Sequence, residues 1–235
     1  MSKAKKILLR ASIGFLTIVV SVIIFGYWFV GSIKKDLLFT KGIESTIPSE
    51  LPYLANDSIY HRGKILAVVT SQAIMGKSGK PKGYELSELA RASYVFVANG
   101  FEVDVASPKG GEAPIVVDDD DMGIYDYAFL NDAVAQSKIK ATIRIENINP
   151  EEYQAVYFVG GKGAMFDFPN NPGMQRLIAE YYESGKVIGA VCHGPAALVN
   201  VTLSNGSALL EGKRTCSFTN TEELFLIPDA SNIFP

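Results

Sequence analysis

A cysteine followed directly by a histidine interrupts the run Gly189-Ala190-Val191-Cys192-His193-Gly194-Pro195-Ala196. The apolar residues before Cys192 read as a strand, and Gly194-Pro195-Ala196 reads as the start of a helix. A sharp turn between the two exposes its central side chain at the carboxyl end of a sheet, which is the geometry of a nucleophile elbow. Cys192 is that central residue. Gly194 relieves crowding in the turn, and Pro195 suits a first helical turn because no N–H is needed there. A helix N-terminus favours negative charge, so the expectation is a lowered thiol pKa and a larger thiolate fraction. A thiolate is a capable nucleophile, and the N–H groups after Cys192 are placed to help hold an oxyanion. Gly160-Gly161-Lys162-Gly163 follows a second apolar run. Glycines there let backbone approach a ligand closely, with the Gly161 N–H as a second oxyanion donor and Gly160 beside it.

The wider composition narrows the function classes. The chain has 235 residues, 48% of them hydrophobic and 20% charged, with a net charge of −3. That excludes a disordered or collagenous chain, and the lack of a basic excess argues against nucleic acid as a partner. Two cysteines, Cys192 and Cys216, are too few for a disulfide framework. Two histidines, His61 and His193, lie far apart, so no metal site is expected. His61 reads as a surface residue and Cys216 as a packed residue of a strand.

Several elements must position Cys192. Lys64–Thr70, Phe101–Ala106, Tyr153–Val159 and Lys186–Val191 are short apolar runs of strand type. Glu85–Asn99 and Pro172–Ser184 carry helical spacing and end at Gly100 and Gly185. Strand–helix alternation predicts an α/β domain over residues 64–235, a parallel sheet sandwiched by helices. Glu112–Asn149 reads as an irregular insertion with a short helix over Phe129–Gln136. Its acidic run Asp118–Asp121 reads as a solvated loop, lacking the ligand spacing of a calcium loop.

The N-terminal part is of another kind. Residues 11–33 carry no charge and, at 1.5 Å rise, are long enough to cross a hydrocarbon core of about 30 Å. Lys3, Lys5, Lys6 and Arg10 precede them, Lys34 and Lys35 follow, and Tyr27 and Trp28 sit near one end as interfacial aromatics do. The expectation is one transmembrane signal anchor rather than a cleaved leader, with the membrane as a partner. The positive flank leans toward an N-terminus inside and the α/β domain outside the cytoplasm. Residues 34–63 read as a linker.

Four motifs in order give a family resemblance: Gly83–Ala90 (GYELSELA), Phe101–Gly111 (FEVDVASPKGG), Gly160–Pro169 (GGKGAMFDFP) and Ala190–Leu198 (AVCHGPAAL). Together the chain resembles the ThiJ/PfpI superfamily, nearest its chaperone and glutathione-independent glyoxalase branch, over about Lys64 to Glu223. The resemblance implies a flavodoxin-like sandwich with Cys192 at the elbow. It implies His193 and a carboxylate as partners, and a further glutamate from the first helix of the domain. By motif position that glutamate is Glu88, with Glu85 one turn earlier as the lesser candidate. The acid partner of His193 falls at Glu223, with Glu222 as the runner-up.

The implied activity is a cysteine-dependent conversion of methylglyoxal-like 2-oxoaldehydes to 2-hydroxy acids, or a related deglycation, with a small aldehyde as substrate and no cofactor. A stress-protective chaperone of the same family is the alternative, and homodimers are common in the superfamily. A glutamine amidotransferase would need a histidine well downstream of the nucleophile, and none follows His193. Two departures stand out. Lys162 occupies a position where the family commonly has histidine. The chain also stops at Asn232-Ile233-Phe234-Pro235, some fifty residues before the family's usual end, so the expectation is a truncated domain.

Overall fold

A computed structural model describes residues 3–38, 42–54, 60–118 and 121–226. The chain divides near Ile43 into two compact units. The first is a helix, α1 (Lys3–Leu38), in which the Thr17 hydroxyl donates to the Ile13 carbonyl at 2.8 Å. Its described apolar side chains, among them Phe15, Ile18, Val22 and Phe25, are exposed. The transmembrane span expected over residues 11–33 is not recovered: among the described residues no helix is long and apolar enough to cross a membrane.

Among its described residues the second unit holds nine strands: β1 (Gly63–Val68), β2 (Ile74–Met75), β3 (Lys80–Pro81), β4 (Tyr84–Glu85), β5 (Phe101–Ser107), β6 (Ile115–Val116), β7 (Ile143–Arg144), β8 (Tyr153–Phe158) and β9 (Val187–Ala190). Its described helices are α2 (Leu86–Ala98), α3 (Ile124–Leu130), α4 (Ala133–Lys140), α5 (Ala164–Asp167), α6 (Pro172–Glu183) and α7 (Asn220–Leu226). The main sheet is parallel, in the order β7-β5-β1-β8-β9. Its four longer strands thus run second, first, third, fourth. This is the flavodoxin-like order, and it places the crevice outside the carboxyl ends of β1 and β8.

Strand alternation sorts the core. Leu66 and Val68 of β1, with Val156 and Phe158 of β8, pack on Met174, Leu177, Ile178 and Tyr181 of α6. Ala67 and Val69 face the other way, toward Leu86, Leu89, Ala90 and Tyr94 of α2. Each fully buried large side chain there contributes about 1.5–3 kcal/mol. Leu51, within the segment read as linker, is fully buried in the second cluster. Helix α6 starts where Asn171 Oδ1 accepts from the Met174 N–H at 2.9 Å with Pro172 at its first position.

Three local expectations change. The described residues of 112–149 contain two α-helices, α3 and α4, and a 3-10 turn at Ile145–Asn147, instead of one helix over Phe129–Gln136. The α3 start is fixed by Asp126, which is fully buried, accepts the Gly123 N–H at 2.8 Å and pairs with Arg91 of α2 at 2.7 Å. Cys216 lies in no strand and is exposed, because residues 213–219 form no ladder. The turn after β9 leads into a 3-10 helix, Gly194–Leu198, and not an α-helix. His61 is exposed, as read from the sequence. Asp119, Asp120 and the terminal Asn232–Pro235 lie outside the described residues.

Candidate active site

Strands β8 and β9 run side by side, with Phe158 opposite Ala190, so the turns that leave them are neighbours. Val191 N–H donates to the Phe158 carbonyl at 3.2 Å, and Gly194 N–H closes back onto the Val191 carbonyl at 2.6 Å. The chain between must bend sharply, and Cys192 takes φ +52°. It is the one non-glycine residue with positive φ among those described. A left-handed conformation costs a residue bearing a Cβ about 1–2 kcal/mol, and such strain collects at functional sites. Gly194 is required by close approach: a Cβ there would lie 2.3 Å from the Phe158 carbonyl oxygen.

Glu88 reaches the thiol from the first turn of α2. Its carboxyl hydrogen-bonds Cys192, and its Oε2 accepts the Gly160 N–H at 2.7 Å. The Tyr157 hydroxyl donates to the Glu88 carbonyl at 3.2 Å, tying α2 to β8. Space for this meeting depends on Gly160, where a Cβ would stand 2.6 Å from Glu88 Oε2 and 2.8 Å from Cys192 Cβ. Glu85 sits one turn earlier, at the N-cap of α2. Burial, and then Glu88, Asp118 and Asp121, push its pKa up to about 7.

His193 stands on the other side of the sulfur. Its Nδ1 is 3.2 Å from Cys192 Sγ, and its Nε2 is 3.1 Å from Glu223 Oε2. An ionised carboxylate only accepts, so the ring proton belongs on Nε2 and Nδ1 faces the thiol with a lone pair. Phe218 stacks on the imidazole at 4.9 Å between ring centres. The Phe218 N–H and the Ser217 hydroxyl both donate to the Cys192 carbonyl, at 3.3 and 3.2 Å. Glu223 Oε1 pairs with the Lys162 ammonium. Glu222 does something else: its Oε2 accepts from the Thr219 N–H at 2.8 Å, while the Thr219 hydroxyl accepts from the Glu222 N–H at 3.2 Å. That is a capping box for α7, a Thr-x-x-Glu signal present in the sequence as Thr219-Asn220-Thr221-Glu222.

The electrostatics of the thiol run opposite to the sequence expectation. Burial, then the facing Glu88 carboxylate, push the Cys192 thiol up to about 12; hydrogen bonds from the Gly161 and His193 N–H groups pull the other way without winning. Glu88 is also raised, first by burial, against the hydrogen bonds from Cys192 and Gly160. Two groups that would both be anions share one dry space, and each holds its proton more tightly than in water. The short 3-10 helix offers too little aligned dipole to reverse this. His193 moves down, chiefly by burial and with help from Lys162, against the pull of Glu223, so it is neutral near pH 7.

The sequence-derived residues Cys192, His193, Glu88, Glu223, Gly160 and Gly161 therefore converge on one turn. The Gly160 N–H is committed to Glu88, leaving the N–H groups of Gly161 and His193 directed at the sulfur. Among the described residues no group of three or more His, Cys, Asp or Glu could hold a metal ion. Beside His193 and Glu223 lies an apolar cavity of about 200 Å³, walled by Met165, Pro195, Leu198 and Phe218. A residue that sequence reading passed over is Asp167, which accepts from the Thr70 hydroxyl and the Ser71 N–H, both at 2.8 Å. It pins the loop after β1 to the helix after the glycine turn.

Comparison with known proteins bears on the family and the fold. The chain is 30% identical over 171 residues to the glutathione-independent glyoxalase HSP31 of Saccharomyces cerevisiae, covering 71% of this chain and 72% of that protein. The crystal structure of glyoxalase III from Candida albicans superposes with a TM-score of 0.64 at 28% identity, covering 74% of this chain and 77% of that one. The Francisella tularensis Rapid Encystment Protein 24 KDa superposes with a TM-score of 0.68 at 34% identity, covering 74% and 76%. A family model described as DJ-1/PfpI matches residues 80–224, a span that holds Glu88, the glycine turn, Cys192, His193 and Glu223. The chain belongs to the DJ-1/PfpI family.

Proposed function

We propose that this protein is a glyoxalase III-type enzyme that converts methylglyoxal-like 2-oxoaldehydes to 2-hydroxy acids, D-lactate in the case of methylglyoxal, without glutathione. Relatives at about 30% identity bear that name. The observation that carries the reading is the Cys192 sulfur set between the Glu88 carboxyl and His193 Nδ1, with Glu223 behind the imidazole.

The chemistry follows from the proton inventory. Burial and the facing Glu88 push the Cys192 thiol up, so in this mechanism its proton leaves as the carbon–sulfur bond forms. His193 Nδ1 or an ionised Glu88 takes it. Sulfur adds to the aldehyde carbon C1, and the oxygen becomes the hydroxyl of a hemithioacetal, held meanwhile by the Gly161 and His193 N–H groups. A base, Glu88 or His193, removes the C1 proton and an acid returns a proton to C2, giving an enediol and then a 2-hydroxy thioester. Water cleaves the thioester, releasing the 2-hydroxy acid and restoring the thiol. The net reaction consumes one water. Deglycation of early carbonyl adducts would use the same hemithioacetal. The apolar cavity beside His193 suits a short alkyl end. The test is D-lactate release from methylglyoxal without glutathione by the full chain, set against Cys192→Ala.

One observation favours a second reading, a stress-protective binding role. An apolar groove of about 530 Å³ runs between α2 and the β8–β9 edge, where Val95 and Val187 are 53% and 66% exposed. Suppression of client aggregation that survives Cys192→Ala would support it. Membrane tethering is a separate proposal, resting on the uncharged run 11–33 and on the exposed apolar side chains of α1. Retention of the full chain in carbonate-washed membranes would support it, and release into the wash would remove it.

A further inference from the structure

Glu223 has two oxygens and two partners. Oε2 meets His193 Nε2 at 3.1 Å, and Oε1 meets the ammonium of Lys162, which comes from the glycine turn after β8. The three side chains are 7%, 7% and 19% exposed for His193, Glu223 and Lys162. A carboxylate this deep needs a compensating charge close by. If His193 were its sole partner, the cheapest source of that charge would be a second proton on the imidazole. That proton would sit on Nδ1, which would then donate toward the Cys192 sulfur and could not accept from it. Lys162 supplies the charge without touching the imidazole's lone pair.

We propose that Lys162 is a positioning residue that neutralises Glu223 from the far side and so keeps His193 neutral, its proton on Nε2 and its Nδ1 open to the Cys192 thiol. The groups facing His193 are few. Cys192 precedes it in the chain, Glu223 comes from α7, Lys162 from the glycine turn, and Glu88 from α2 across the sulfur, while Phe218 covers a ring face with carbon. Of these, Lys162 is the cation, and its repulsion lowers the proton affinity of His193. The inference rests on the reading of the Cys192 turn as the active site, and it assigns a working part to the lysine that departs from the family's usual histidine.

The experiment reads His193 and not turnover. The chain has two histidines, so carbon-13 labelling of the imidazoles yields two NMR titrations, with His61 as an exposed internal control. In the full chain, Lys162→Met is expected to raise the proton affinity of His193 about tenfold, roughly one pKa unit, and Lys162→Arg to restore it nearly to the starting value. Glu223→Gln should move it the other way, since the imidazole then faces Lys162 without the carboxylate. Thiolate absorbance at 240 nm is expected to rise in Lys162→Met, because an imidazolium beside the sulfur lowers the thiol pKa. A His193 titration unchanged in Lys162→Met would overturn the proposal. If that variant does not fold, an unchanged or raised His193 affinity in Glu223→Gln would overturn it instead. Absence of lactate from the wild-type chain would remove the glyoxalase reading while leaving these titrations to decide the lysine's part.

Discussion

Glu88 and Cys192, far apart in sequence, compete for protons in one buried space: the carboxyl hydrogen-bonds the thiol, and the Gly160 N–H holds the carboxyl in place at 2.7 Å. Burial raises both groups, and the Glu88 charge raises the thiol further, while the hydrogen bond from Cys192 draws Glu88 back down. In the proposed mechanism the sulfur therefore loses its proton as it attacks. Glu88→Gln keeps an acceptor for Gly160 and removes the charge. The thiol pKa should fall from about 12 toward its ordinary value, so alkylation by iodoacetamide begins at lower pH, while lactate formation falls at least about 100-fold for want of the proton carrier. Cys216, exposed and remote in role, is replaced by serine to leave one reporting thiol.

Gly160 sets the distance between those groups. An added Cβ would lie 2.6 Å from Glu88 Oε2, 2.8 Å from Cys192 Cβ and 2.9 Å from the His193 nitrogen. Backbone and carboxylate cannot all yield. Gly160→Ala is expected to cost about 1–3 kcal/mol in denaturant unfolding, as overpacking does, and to lose activity well beyond that cost, since Glu88 is displaced from the sulfur.

Glu222 and Glu223 are neighbours with different work. Glu222→Ala should fray α7 and lower its thermal stability slightly, because the bonds to the Thr219 N–H and hydroxyl are lost. Turnover should persist at low temperature. Glu223→Ala should abolish turnover and take the same carboxylate from Lys162 and His193 together. Circular dichroism and kcat measured on both variants separate the two roles.

Asp167 links pH to stability. Burial pushes its pKa up to about 6, from an ordinary value of 3.8, despite the Thr70 and Ser71 hydrogen bonds. The native state thus binds this proton to higher pH than the unfolded chain does. Between about pH 4 and 6 the native state carries the extra proton, so stability falls as pH rises through that window, by about 2–3 kcal/mol from this group. Asp167→Asn keeps an acceptor for Ser71 and should flatten that share of the decline. Denaturant midpoints at pH 4.5 and pH 7 in both proteins check it.

Much of this was legible in the residues alone. Short apolar runs gave β1, β8 and β9, and Val191-Cys192-His193-Gly194-Pro195 gave the elbow, because a tight turn tolerates few residue types. What failed depended on partners distant in sequence. α3 starts where it does because Asp126 finds Arg91 on another helix, and no local pattern shows that pairing. The thiol was expected to be acidic from its own turn, yet it is governed first by burial and then by Glu88 from α2. Glu222 against Glu223 was an ambiguity the sequence could have resolved. Thr219 three residues before Glu222 marks the capping pair and leaves Glu223 for the interior.

The measurement that tests the central claim most directly is lactate release from methylglyoxal, without glutathione, by the full folded chain beside its Cys192→Ala variant. Cys192 hydrogen-bonds Glu88 and has His193 Nδ1 3.2 Å from its sulfur, so its removal takes away the atom that adds to the aldehyde carbon in the proposed mechanism. The prediction is steady lactate from the wild type and none above the uncatalysed rate from the variant. Equal lactate from both, or none from a wild-type chain shown to be folded, would contradict it.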